Sequence, residues 1–161
     1  MDEWNMSRTS IWVFVAVAAG CSPSQLPHEG KTAAQLDDML RNADPQVQAQ
    51  GAFGLSLMGM EARGSVPALI ELLKNPQVLV RQNAALAIGS VGADAASAVP
   101  HLIELLKDPE WAVRRQSVVS LGQIGPAAKT AIAELNKLNT DPNSLVRKAA
   151  TIAIKRIVQK P

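Results

Sequence analysis

Tyrosine is absent from this chain of 161 residues, aromatics make up only 3% of it, and it has one cysteine and two histidines. Sheet proteins draw on aromatic and β-branched side chains to cover a pleated face. The shortage of rings therefore argues for helices built from Ala, Leu, Val and Ile. A single cysteine cannot close an internal disulfide. With two histidines it cannot complete a four-ligand zinc site unless distant carboxylates join it. No metal and no cofactor is expected. A formal charge of +2 is too small for the field that nucleic-acid binders usually carry and by itself names no partner; with Phe53 and Trp111 the only aromatics past residue 20, no nucleic-acid partner is expected. With 47% hydrophobic residues and no long polar tract, the chain has the material for one folded domain.

Catalysis needs ionisable groups that converge. No nucleophile–base pair, phosphate-binding glycine loop or metal spacing is found along the chain. Gly89-Ser90-Val91-Gly92 lacks the length and the lysine of a phosphate loop. Neither an enzyme nor a small-molecule substrate is expected.

The N-terminus has the order of an export signal. Arg8 precedes an apolar run from Ile11 to Ala19, and Ala18, Ala19 and Gly20 lead directly into Cys21. The run is far short of the roughly 20 apolar residues that span a bilayer, so cleavage fits better than a transmembrane helix. Asp2 and Glu3 are acidic where a leader is basic, whereas a start at Met6 leaves Met-Ser-Arg ahead of the run. Ala18-Ala19-Gly20-Cys21 resembles a bacterial lipobox. That resemblance implies lipid on Cys21 and export to the periplasmic or cell-surface side of a membrane. The bland alternative is a buried cysteine at the end of a short hydrophobic helix. Residues 1–20 are thus read as signal peptide and 21–31 as a flexible tether containing Pro23, Pro27 and Gly30.

From residue 32 to 161 the sequence repeats. Val66-Pro67 returns as Val99-Pro100, a step of 33, and Leu69-Ile-Glu-Leu-Leu-Lys74 returns as Leu102-Ile-Glu-Leu-Leu-Lys107. Asn75-Pro76, Asp108-Pro109 and Asp141-Pro142 keep register, as do Val80-Arg81, Val113-Arg114 and Val146-Arg147. A worn first copy passes through Asp44-Pro45, with small length changes expected in its loops. The copies run over about 32–63, 64–96, 97–129 and 130–161. Each divides at its Asx-Pro, which breaks one helix and suits the first turn of the next. In the second copy Val80, Ala84, Ala87, Ile88 and Val91 form one apolar stripe. Gly92 and Gly125 sit where helices end. Hairpins of this kind bury their apolar faces only by stacking. Lys155, Arg156, Gln159 and Lys160 read as a wettable face on the last copy.

This pattern of proline, Leu-x-x-Leu-Leu-Lys, Asp-Pro, Val-Arg and Ala-Leu-Gly resembles the HEAT repeat, in the compact bacterial form also seen in phycobilisome lyase subunits. The resemblance implies an all-α, right-handed solenoid of about four hairpins. It also implies a ladder of turn acids and Val-Arg arginines, drawn from Arg81, Asp108, Arg114, Asp141 and Arg147. Asp108 is expected to meet Arg114, Asp141 to meet Arg147, Asn75 to face Arg81 and Asp44 to face Gln50. Helix capping is the simpler role for the two aspartates. The iron-dependent deoxyhypusine hydroxylases share the repeat but hold metal through several helix-borne His-Glu pairs. Here the one such pair, His28-Glu29, lies in the tether.

In HEAT solenoids the second helices line the concave face. The positions opposite the buried stripe are Gln82 and Leu86, Arg115 and Val119, and Lys148 and Ile152. The row Leu86, Val119, Ile152 is either a binding groove or a seam covered by neighbouring helices. Trp111 at the turn either contacts a partner beside Arg115 and Val119 or roofs the turn. The function expected is a noncatalytic protein-binding scaffold on a lipid anchor. The alternative is a noncatalytic subunit of an enzyme complex of the lyase or hydroxylase kind.

Overall fold

The structure, a computed structural model, describes residues 29–159. The leader, Cys21 and the tether as far as His28 lie outside the described residues, as does Lys160. The described residues form an all-α solenoid of four hairpins: α1 (Ala33–Leu40) with α2 (Pro45–Met58), α3 (Val66–Leu72) with α4 (Val78–Val91), α5 (Val99–Glu104) with α6 (Trp111–Ile124), and α7 (Ile132–Lys137) with α8 (Ser144–Val158). Three 3₁₀ segments, Gly59–Ser65, Gly92–Ala98 and Gly125–Ala131, carry the chain to the next hairpin. The long second helices pack side by side in the order α2, α4, α6, α8.

Local chemistry sets these boundaries. Thr32 and Gln35 form a reciprocal capping box at the start of α1. Gly59, Gly92 and Gly125 take φ of 59°, 74° and 71°, in the left-handed region that a side chain disfavours, and end α2, α4 and α6. At each hairpin turn an Asx side chain accepts a backbone N–H two residues on. Asn42 Oδ1 takes it from Asp44 at 2.9 Å, Asn75 from Gln77 at 2.9 Å, Asp108 from Glu110 at 2.9 Å and Asp141 from Asn143 at 2.8 Å.

That series corrects the register of the first repeat. Its counterpart of Asn75 is Asn42, not Asp44, and the step of 33 then holds through all four copies without any change of loop length. Asp44 instead caps α2, accepting from Gln46 N at 2.8 Å ahead of Pro45 in the first turn. Asp108 and Asp141 likewise shape the turn rather than cap the helix, because the capping positions are Glu110 and Asn143.

The core repeats with the chain. Leu36, Leu69, Leu102 and Leu135 come from successive first helices, and Leu55, Ile88 and Leu121 from successive second helices; all are essentially inaccessible. Burial of each contributes about 2 kcal/mol. All five residues of the α4 stripe are buried, and so are Ala85 and Gly89, because an interior second helix is covered on two flanks as well as its base. Small residues allow that approach. A Cβ at Gly89 would lie 2.7 Å from Ser120 Oγ and 2.9 Å from Ser120 Cα, and one at Gly122 3.0 Å from Ala153 Cα. Ser120 uses the proximity to donate to the Ala85 carbonyl at 2.6 Å. On α8 the position of Gly89 and Gly122 holds exposed Lys155.

Candidate protein-binding face

The arginine ladder rigidifies the face from its edge. Arg81 donates through Nε and Nη2 to both carboxylate oxygens of Asp108, at 2.8 and 3.0 Å, and Arg114 does the same to Asp141 at 2.8 and 3.1 Å. Each bond crosses into the following repeat. The expected pairs Asp108–Arg114 and Asp141–Arg147 are therefore corrected. Arg114 Nη1 donates to the backbone carbonyls of Asp108 and Pro109, and Arg147 Nη1 to those of Asp141 and Pro142, leaving the carboxylates to the arginine of the repeat before. Asn75 and Arg81 meet only through the Asn75 carbonyl. Gln48, not Gln50, stands in for the arginine in the first repeat: its Oε1 accepts from Asn75 Nδ2 at 2.8 Å, and its Nε2 donates to Asn42 O at 2.8 Å.

The charged rungs are well shielded, with side chains 11% and 5% exposed in one and 12% and 4% in the other. Hydrogen bonding from Arg114 holds the Asp141 carboxyl below the usual carboxylate range despite its burial, and the same bond raises Arg114. Each planar fork joins two turns at once, so it fixes the angle between neighbouring hairpins as well as their contact.

The open side of the row contains a groove between α6 and α8, with a volume of about 260 Å³. Arg115 and Val119 line it from α6, and Lys148 and Ile152 from α8. Gly122, Ala149 and Ala153 form its small-residue bottom, and Leu145 and Arg156 close its ends. Four of the seven residues read as the face thus meet in one recess. Gln82 and Leu86 are half-buried on α4 and do not line it. Trp111, 43% exposed, lines a separate shallow cavity with Pro109, Arg114, Pro142 and Asn143, so it sits over a ladder rung and does not join Arg115 and Val119.

Sequence reasoning missed Arg156 and Leu145 as groove residues. Arg156 carried a detectable signal, since it follows Lys148 and Ile152 at steps of four and so shares their helix face. A second recess between α2 and α4, of about 270 Å³, is lined by Pro45, Gln46, Ala49, Gln77, Leu79 and Val80, with no charged side chain among them.

A family model described as HEAT repeats matches residues 33–99 and 93–155. Among solved structures, one engineered protein is similar with a TM-score of 0.68 and 27% identity, over 78% of this chain and 62% of that one. A second engineered protein matches at 0.68 and 26%, over 80% and 38%. A designed armadillo repeat protein in complex with the peptide (KR)4 matches at 0.69 and 18%, over 78% and 64%. The chain thus spans less than two thirds of the length of these structures. No curated protein matches it.

Proposed function

This chain belongs to the HEAT-repeat family, and from that premise we propose that it is a noncatalytic protein-binding scaffold, tethered to a bacterial membrane by lipid on Cys21. The observation that carries the binding reading is the α6–α8 groove. There Val119 and Ile152, at one repeat position on neighbouring helices, leave apolar surface open beside cations, and the Arg114–Asp141 rung joins the turns of the same two hairpins. Leu145 and Ile152, 46% and 54% exposed, adjoin Val119 in the same recess, a contiguous apolar patch of the kind a partner covers. The anchor rests on the order of Arg8, the apolar run and Cys21 alone.

Two experiments test these parts separately. The full chain purified from membranes should recover a partner, identified by mass spectrometry, that a Val119→Glu, Ile152→Glu variant of unchanged helicity loses. Retention of the same partner by that variant would move the binding face elsewhere. A fatty-acid analogue fed to cells should label the wild-type chain. If Cys21→Ser is still labelled and still sediments with membranes, the lipid anchor is wrong.

A further inference from the structure

We propose that the α6–α8 groove receives an extended acidic segment of a partner protein, in which two carboxylates four residues apart flank one apolar side chain. This deepens the protein-binding reading and rests on it. The groove's charged residues are Arg115, Lys148 and Arg156, and no acid lines it. All three are exposed, and none forms an ion pair with a described residue; the pairs that do form belong to Arg41, Arg81, Arg114 and Lys137. Three cations around an apolar recess repel one another where water screens them incompletely, and an incoming carboxylate relieves that repulsion.

The spacing selects the shape of the ligand. Lys148, Ile152 and Arg156 share one face of α8, and the two cations stand about 12 Å apart along the helix axis at 1.5 Å per residue. An extended chain covers about 13 Å in four residues. Its positions i, i+2 and i+4 project to one side, so acids at i and i+4 meet Lys148 and Arg156 while an apolar residue at i+2 reaches Ile152 and the small-residue bottom. Arg115, on the opposite wall, supplies a second donor to one of the acids. A single-stranded nucleic acid fits the groove poorly, because no aromatic side chain lines it for bases to stack on. An anionic bilayer calls for apolar side chains on a ridge, and these line a recess.

The test pans short random peptides, displayed on phage, against the full chain held in detergent micelles. Enriched peptides should carry Asp or Glu at positions four apart, with Leu, Ile, Val or Met midway. A synthetic copy should bind in fluorescence anisotropy, more weakly as salt rises. Lys148→Glu with Arg156→Glu should weaken it at least about tenfold without changing the thermal melt. Enrichment of neutral or basic peptides, no enrichment, or unchanged binding to the double variant would overturn the proposal. So would flotation of the Cys21→Ser chain with phosphatidylglycerol vesicles, but not phosphatidylcholine ones, if Lys148 and Arg156 are needed for it, since the groove would then serve lipid. A membrane partner that requires Val119 and Ile152 but tolerates the charge reversal would leave the protein-binding reading standing and sink the acidic segment alone.

Discussion

Between the first two repeats the rung is an amide pair, Asn75 Nδ2 donating to Gln48 Oε1 at 2.8 Å; between the last two it is a two-pronged ion pair, Arg114 on Asp141. Both join one hairpin turn to the next across 27 residues. The recess between α2 and α4 is likewise uncharged, while the one between α6 and α8 is ringed by cations. The same register with different chemistry gives two different joints. A neutral rung sets the stacking angle without burying charge. A charged rung costs desolvation but yields a stiffer, doubly donated joint. That joint ties together the turns from which the two groove helices start, and a preorganised pair of walls reduces the entropy lost on association.

The largest effect should separate the two kinds of rung directly. Asp108→Ala leaves the Arg81 fork shielded and unpaired and should cost about 3 kcal/mol in urea unfolding. Asn75→Ala, which breaks the amide rung, should cost about 1 kcal/mol. Equal costs would erase the distinction between the neutral and the charged rungs.

Converting one rung into the other sharpens it. Gln48→Arg and Asn75→Asp are each expected to destabilise, since each places a charge opposite an amide. Together they should recover about 1.5 kcal/mol of coupling in a double-mutant cycle. A coupling near zero would mean that the first pair of repeats is stacked at an angle that excludes the fork.

Acid should act on the C-terminal end first. Folding lowers the Asp141 pKa, so the stability it contributes is complete above its unfolded value and is lost as pH falls through the folded one, below about pH 4. Hydrogen exchange should show α6 and α8 losing protection in that window before α2. Asp141→Asn should remove the difference. Earlier loss in α2 would contradict the assignment.

The smallest effect expected is from Trp111→Ala. The ring is partly exposed over the rung between the third and fourth repeats, and its loss should cost less than about 1 kcal/mol of stability and leave groove binding intact. A fall of several degrees in melting temperature would make it a necessary cover for that rung. A loss of partner would return it to the binding face.

Class, repeat period and helix ends were legible in the residues themselves. The recurrence of Leu69-Ile-Glu-Leu-Leu-Lys74, the apolar stripe of α4 and the glycines after α4 and α6 act locally or by simple periodicity, and those forces leave a pattern in the chain. In the first repeat two Asx residues stand two apart, and each is a plausible turn-former. The step of 33 from Leu69 back to Leu36 and from Gly92 back to Gly59 already points to Asn42, and the hydrogen bond from Asp44 N to Asn42 Oδ1 shows it in the position of Asn75. The ladder partners were hidden for a similar reason. A step of 6 within a repeat and one of 27 between repeats recur equally in a periodic sequence, and an arginine can reach either way. Stacking decides between them, because it brings the next turn's carboxylate to the fork while the arginine's own turn offers backbone carbonyls. The groove is tertiary in the same sense: Arg115 and Val119 face Lys148, Ile152 and Arg156 across a close approach of α6 and α8, where a Cβ on Gly122 would lie 3.0 Å from Ala153 Cα.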